Sequence, residues 1–285
     1  MRNVLPILCV LAALVAIWYA GAFFMNRAWT LDRADGPVPL AALIADTMAQ
    51  ERPRLPAPHQ VAGELYDSVI DKRITSRRSL VYHGGITLWS TLMGFALGTT
   101  LGILMAVGIV YSRTMQMSLM PWAIISQTVP IVAIAPMIIV LLASIGVEER
   151  AVPKAIISAY LCYFPVLVGM VKGLRAPDAM QLDLMQTYGA SGWQSFWKLR
   201  LPSSVPYLFT SLKIGIAAAL VGTIVGELPT GAIQGLGARI LIGDQFGNPL
   251  MIWSALIAAA VLAGALVSLV ALMQRLAMHR MGFAR

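Results

Sequence analysis

The sequence has 285 residues, of which 58% are hydrophobic and only 12% are charged. Soluble domains carry about 25% charged residues because a solvated surface needs them, so this composition excludes a water-soluble globule and indicates a lipid-facing surface. The net charge of +8 is not gathered into a basic patch interleaved with aromatic residues. This argues against nucleic-acid binding and favours cations at the ends of membrane helices.

Six apolar stretches are long enough to cross a bilayer, whose hydrocarbon layer needs about 20 residues of helix. The predicted spans are 4–24, 86–111, 119–145, 152–171, 207–228 and 250–272. The first begins like a signal peptide, but it is long and its aromatic end has no small-residue cleavage site, which favours an uncleaved helix. The predicted fold class is all-α, a polytopic membrane helix bundle with about six transmembrane helices.

The connection from residue 26 to residue 80 contains eight Lys or Arg and seven Asp or Glu, so it is predicted to be solvated and nearly neutral. Its Leu-Pro-Ala-Pro run at 55–58 favours extended backbone. Apolar residues at helical spacing then predict an amphipathic helix on the membrane surface. These residues are Val61, Leu65, Val69 and Ile70. We therefore divide the chain into a region 1–79 and a transmembrane domain 80–285.

Small residues and prolines in the spans predict how the helices pack. Gly94, Gly98 and Gly102 in the second span have the spacing that lets another helix approach closely. Prolines in the third and fourth spans free carbonyl groups that neighbouring helices or water must satisfy. These two spans are therefore predicted to face protein or a cavity.

Polar residues at membrane depth are candidates for a solute pathway, and each has an alternative role. Gln127, close to Pro130, offers donors and an acceptor to a solute, or forms an interhelical hydrogen bond. Tyr163 lines the same cavity or simply packs. Glu227 is a gate or pathway residue, or a structural acceptor for nearby backbone amides, because charges in membrane helices usually face a cavity or a partner.

Motifs of catalysis and metal binding are missing from the sequence. It contains no G-x-x-x-x-G-K-[ST] loop, no zinc-ligand spacing and no H-E-x-x-H motif. Its three histidines fall outside the predicted bilayer core. The chain is therefore not predicted to be an enzyme by itself or to bind a metal.

The polar segment 173–205 between the fourth and fifth spans is the most informative stretch. It is predicted to form two short helices broken at Gly189, which can adopt a positive φ. Ser191 is predicted to cap the second helix and Pro202 to end it. Three large aromatic side chains here predict an apolar knob that suits a groove on a partner protein. They are Trp193, Phe196 and Trp197.

This segment resembles the EAA motif of permeases in binding-protein-dependent ABC importers. That motif is Glu-Ala-Ala, three residues, Gly, nine residues, an aliphatic residue, one residue and Leu-Pro. Gly189, Leu199, Leu201 and Pro202 have the required spacing, whereas Asp-Leu-Met at 183–185 replaces Glu-Ala-Ala. The Gly-Ala-Ser-x-Trp-Gln-x-Phe run and the upstream Leu-Pro-Ala-Pro are similar to the nitrate, sulfonate, taurine and thiamine-precursor branch. The resemblance covers about residues 55–275.

The resemblance implies a type I importer permease that pairs as a homodimer around one pathway. The loop would dock on a cytoplasmic ATP-binding subunit that carries ATP and Mg, with no cofactor on this chain. An extracytoplasmic solute-binding protein would deliver the solute at the bacterial inner membrane. The residues implied in contact with the ATP-binding subunit are Asp183, Gly189, Ala190, Ser191, Trp193, Phe196, Leu201 and Pro202.

Placing this loop in the cytoplasm places both termini there and residues 26–80 outside. Nine Lys or Arg then lie inside, including Arg2 and Arg285, and three lie in short outer loops, including Lys154. The eight in the long connection reverse this balance, although long loops count less. The motif therefore carries the orientation.

The outer segment after Glu227 is rich in glycine, and residues 231–248 are predicted to form a compact outer loop or re-entrant turn. Arg239 and Asp244 in it would help dock the solute-binding protein or form a surface ion pair. The Gly-Glu-Leu-Pro-Thr-Gly run is similar to permeases for pyrimidine-like compounds.

A heterocyclic or a sulfonate-like solute is therefore expected. A strongly held anion such as nitrate is disfavoured, since the predicted mid-membrane pathway has no Lys or Arg. The alternative is a self-contained secondary transporter or channel, which should show repeated halves or mid-membrane carboxylates.

Overall fold

The fold is known from a computed structural model that describes residues 4–34, 36–147, 149–229 and 233–282, and its regular elements in those ranges are helices. The α-helices are α1 (Val4–Asp32), α2 (Leu40–Ala49), α3 (Pro58–Tyr66), α4 (Leu80–Tyr111), α5 (Arg113–Ser126), α6 (Ile131–Ser144), α7 (Ala151–Leu174), α8 (Ala179–Thr187), α9 (Gly192–Ser195), α10 (Leu201–Glu227), α11 (Leu236–Gln245) and α12 (Pro249–Arg280). There are also two π-helical segments in the described ranges. One, Asp67–Asp71, follows α3, and the other, Phe196–Arg200, joins α9 to α10. The predicted all-α fold class is confirmed.

The membrane spans agree with the prediction of about six, with one change. Five segments of the described chain are long and apolar enough to cross a bilayer: α1, α4, α7, α9–α10 and α12. The continuous span predicted at 119–145 is wrong, because α5 and α6 pass this test only as a pair bent by 103°. The cause is Pro130, which has no N–H for a helix and disfavours helical backbone at the residue before it.

The bent pair α5–α6 connects opposite ends of α7. At the start of α5, Gln116 accepts a hydrogen bond of 2.9 Å from Arg175, which directly follows α7. At the other end, α6 stops at Ser144, shortly before α7 begins at Ala151. The 24 residues of α7 correspond to about 36 Å of helix. The pair is therefore a broken span rather than a loop that returns to the side it left.

The chain divides into two compact units, each containing parts of the membrane helices. One unit comprises Met1–Gly84 and Ala238–Ala259, and the other comprises Gly85–Gly237 and Ala260–Arg285.

In the first unit, buried Asn26 near the end of α1 ties down the α2–α3 connection. Its amide nitrogen donates to the carbonyl oxygens of Thr47 and Leu55 at 3.2 and 2.9 Å, and its oxygen accepts from Leu55 N–H at 3.1 Å. The α1 side chain of Trp18 donates to Pro56 O at 2.9 Å. The Leu-Pro-Ala-Pro run is thus held against α1.

The predicted amphipathic helix is present as α3 and its π-helical extension, but its apolar residues do not share one environment. Val61 is buried, whereas Ile70 is 63% exposed. Helix α2 was not predicted. The loop alternative for residues 231–248 is wrong over most of its length, because α11 occupies residues 236–245, and the re-entrant turn stays a prediction. Gly231, at the start of that stretch, lies outside the described residues.

In the second unit, α7 is enclosed by backbone contacts from α4 and α10. A methyl group on Gly98 of α4 would lie 2.7 Å from Ala159 O, and one on Gly102 would lie 2.7 Å from Tyr163 O. On the α10 side, a methyl group on Gly222 would lie 2.8 Å from Ser158 Cα. A methyl group on Gly94 would collide with Ser158 Cβ. The glycine stripe of the second span therefore lies directly on α7.

The glycine contacts predict opposite effects for two alanine substitutions in α4. Gly98→Ala should destabilise the protein by roughly 1–3 kcal/mol, because the backbone of α7 cannot give way. Gly85→Ala, with no atom beyond its own helical backbone and chain neighbours within 4 Å of the added carbon, should be neutral or stabilise by up to about 1 kcal/mol through helix propensity. Melting temperatures of the two purified variants in detergent test this. Equal melting temperatures would contradict the close packing.

Candidate functional site

The break between α8 and α9 has the geometry that the sequence predicts. Gly189 has φ = +68°, a left-handed conformation that costs side-chain-bearing residues energy. Ser191 begins α9, where its hydroxyl accepts from Gln194 N–H at 3.3 Å and its own N–H donates to Gln194 Oε1 at 2.9 Å. The two short helices are thus fixed at a defined angle. Ala190 lies half-buried between them.

Pro202 does not end the second helix, which corrects the prediction. It lies in the first turn of α10, where a missing N–H is tolerated. The π-helical turn Phe196–Arg200 precedes it, and Leu201 N–H donates to Phe196 O. The helix therefore continues from Gly192 to Glu227 as a single 36-residue span candidate.

The aromatic residues of this segment face two ways. Trp193 is 70% exposed and Trp197 is 50% exposed, whereas Phe196 is half-buried, with its ring centroid 5.9 Å from that of Tyr111. The predicted knob is therefore two tryptophans supported by Phe196. Helix α8, on which the Asp183 side chain is exposed, extends this surface with further large apolar side chains. We define the loop surface as the exposed residues Met180, Leu184, Tyr188, Trp193 and Trp197.

Arg200 is a site residue that sequence reasoning missed. Its guanidinium donates to Leu174 O at 2.9 Å, which joins the last turn of α7 to the π-helical turn. Together with the Arg175–Gln116 bond, it anchors both ends of the loop to the helix bundle. No local pattern signals this contact, because Arg200 and Leu174 are 26 residues apart in the sequence.

Glu227 lies at the opposite end of α10 and is fully buried. Its Oε1 accepts from Lys154 Nζ at 3.2 Å and from the Thr87 hydroxyl at 3.0 Å. Its Oε2 accepts from Gly237 N–H at 2.8 Å. This geometry agrees with the structural-acceptor alternative for Glu227, and its gating role stays a prediction.

The assignment of Lys154 to a short outer loop is wrong. Lys154 lies in the first turn of α7, is 3% exposed and pairs with Glu227. Arg2 and Arg285, which are among the nine Lys or Arg predicted to lie inside, are outside the described residues.

The break in the α5–α6 pair lies beside α7. The Tyr160 hydroxyl donates to Ser126 O, and the Tyr163 hydroxyl hydrogen-bonds with Ser126 Oγ. Gln127 is half-buried and donates to Ser126 Oγ at 3.3 Å, a neighbour on its own chain segment, and Pro130 is exposed. Gln127 and Tyr163 thus share Ser126 Oγ as a hydrogen-bond partner, and Pro130 lies at the same break, whereas Glu227 belongs to the separate cluster above.

Arg239 and Asp244 do not form the surface ion pair that was one alternative, since the structure shows no salt bridge between these two described residues. Burial lowers the pKa of the Arg239 guanidinium, and the Glu64 carboxylate opposes this shift. Among the described residues, no group of three or more His, Cys, Asp or Glu side chains is placed to hold a metal ion.

Comparison with known proteins links this geometry to one family. Residues 98–282 match the family described as "Binding-protein-dependent transport system inner membrane component". The chain is 32% identical to the formylaminopyrimidine transport permease protein of Halalkalibacterium halodurans, over 68% of this chain and 73% of the relative. It is 29% identical to the riboflavin transport system permease protein of Chloroflexus aurantiacus, over 78% of each chain. It is 26% identical to the putative aliphatic sulfonates transport permease protein of Bacillus subtilis, over 72% of each.

The two orientations of the loop aromatics predict different stability effects. Phe196→Ala should cost roughly 1–3 kcal/mol, less than the loss expected of a fully buried phenylalanine. Trp197→Ala should change stability by less than about 0.5 kcal/mol, because its ring is exposed. Thermal unfolding of both variants in the same detergent tests this. A larger loss for Trp197→Ala would show that the tryptophan is part of the core.

Proposed function

This chain belongs to the family of binding-protein-dependent transport system inner membrane components and is a permease component of an ABC importer, and we propose that its α8–α9 loop couples it to a separate ATP-binding subunit. Family membership also sets aside the self-contained secondary transporter. ATP and Mg would be bound by the partner subunit, and the permease would supply the gated path.

The observation that carries this proposal is the loop surface. Five large apolar side chains are exposed within residues 180–197, on a segment whose position is fixed by Gly189 and Arg200. An exposed apolar surface of this kind is typical of a protein interface, and tryptophan and tyrosine dominate binding energies in such interfaces. The neighbouring cleft of about 190 Å³, lined by Val107, Tyr111, Gly192, Trp193 and Phe196, adds concave surface.

The second short helix of the loop and a membrane span form one continuous helix. Residues 192–227 run as one helix of 36 residues, about 54 Å long at 1.5 Å per residue. This helix packs along α7 and ends at Glu227. A displacement of the loop by the ATP-binding subunit would therefore reach the far end of the bundle, as alternating access requires.

Membership of the same family supports a proposal for the remaining partners. We propose that two copies of this chain form a homodimer around the pathway, with the loop and both termini in the cytoplasm. A solute-binding protein would then dock at the end where Glu227 lies. Gln127, Pro130 and Tyr163, gathered at the break of the α5–α6 pair, are proposed to line the path, and Glu227 is proposed to act as a gate rather than as a solute ligand.

For the solute, we propose a heterocyclic compound of the pyrimidine or flavin kind. Two of the relatives above are named for transport of such compounds, and the relative named for sulfonates is less similar. The matching solute-binding protein, loaded with each class of compound, should stimulate ATP hydrolysis by the reconstituted transporter only with the heterocycle. Stimulation by a loaded aliphatic sulfonate or taurine would instead select the sulfonate alternative.

Gly189→Val tests the coupling role of the loop. Valine at φ = +68° should be strained by at least about 1 kcal/mol, which would turn the loop surface away from its partner. The variant should insert and dimerise normally but lose co-purification of the ATP-binding subunit or transport-coupled ATP hydrolysis.

Gly85→Val is the control, because this glycine also has open space around it but lies in ordinary helical backbone at the start of α4, whereas Tyr111 at the other end of α4 contacts the loop. It should keep both association and coupling. If Gly189→Val also keeps both in full, the loop is not the energy-transmitting contact.

A further inference from the structure

The Glu227 cluster joins a backbone segment to three helices. Thr87 of α4, Lys154 of α7 and Glu227 of α10 each contribute one buried side chain. Between them they bind three backbone groups of residues 234–237. Lys154 Nζ donates to Gln234 O at 3.2 Å, Leu236 N–H donates to the Thr87 hydroxyl at 2.9 Å, and Gly237 N–H donates to Glu227 at 2.8 Å.

Two glycines allow this segment to wrap around the carboxylate. Gly235 has φ = +124°, and any side chain on it would collide with the Glu227 carboxylate. A methyl group on Gly237 would lie 2.9 Å from Glu227 Cβ. Both carboxylate oxygens are thus bonded to groups of the same chain. Because Glu227 is fully buried, it offers no free surface to a solute in this conformation.

We propose that Thr87, Lys154 and Glu227 form a clamp that fixes residues 234–237 to the ends of α4, α7 and α10, with Lys154 as the positioning residue on which it depends. Lys154 supplies the positive charge that balances the buried carboxylate. A buried ion pair that loses one partner leaves an uncompensated charge in a medium of low dielectric constant, which is strongly unfavourable. Loss of the Lys154 charge should therefore release the segment, so that Glu227 can reach water.

Accessibility of Leu236 measures this release directly. Leu236 is 1% exposed, so a cysteine there, in a chain with Cys9 and Cys162 replaced by serine, should react slowly with a membrane-impermeant maleimide. Lys154→Met should raise the rate roughly tenfold or more. Adding Glu227→Gln to Lys154→Met should bring the rate back toward the original value, because the unpaired charge is then removed.

Lys172→Met is the control, since it removes an exposed lysine at the other end of α7 and should leave the rate unchanged. An unchanged rate in Lys154→Met, or a faster rate in the double variant than in the single one, would overturn the clamp. If Lys154→Met cannot be isolated folded, Thr87→Val takes its place. It removes one hydroxyl from the cluster, and a rate equal to that of the parent would likewise overturn the clamp.

The clamp also has a consequence for transport, which rests on the proposed function. Maleimide labelling needs no ATP-binding subunit, so the clamp and the proposed function can fail separately. Lys154→Met should lower the maximal uptake rate at an unchanged half-saturating concentration of loaded solute-binding protein. A raised half-saturating concentration with an unchanged maximal rate would show instead that these residues contact the solute or its carrier.

Discussion

Helices α4 and α10 approach α7 so closely that a single methyl group at Gly98 or Gly222 has no room. Between apolar helices in lipid there is no hydrophobic gain on association, so close backbone contact and dispersion supply much of the stability. The bond from the Ser158 hydroxyl to Ala219 O, at 2.8 Å, adds a polar tie on the α10 side. The packing of α4 and α10 on α7 determines the positions of the loop, the broken span and the clamp.

The polar groups packed against α7 at Ser126 and Glu227 have hydrogen-bond partners on another helix. At the break, the Tyr160 hydroxyl of α7 donates to the backbone carbonyl of Ser126, and the Tyr163 hydroxyl hydrogen-bonds with the Ser126 hydroxyl. The carboxylate of Glu227 is buried with a lysine, a hydroxyl and a backbone amide around it. Such groups are costly in a bilayer and persist where a site needs them. They lie at the middle and at one end of α7, and the loop surface lies at the other.

Local features of this fold could be read from the sequence, and long-range pairings could not. The glycine stripe and the positive φ of Gly189 follow from residue type and spacing alone. Averaged hydropathy concealed the break at Pro130, and Pro202 was taken for a helix end although a first-turn proline is tolerated. Lys154 and Glu227 are 73 residues apart, so only the packing of α7 on α10 brings them together. Arg239 and Asp244 are five residues apart on α11 and therefore point in different directions.

We expect the loop, α10 and the clamp to move as one body when the ATP-binding subunit acts. Spin labels on Lys198, exposed at the loop, and on Ile233, 63% exposed beside the clamp, measure this distance within one labelled copy of the assembled transporter. Motion as one body predicts the same distance with and without bound ATP, while the distance between the Ile233 positions of two copies changes. A change within the single copy would show that the helix bends between loop and clamp, and would contradict motion as one body.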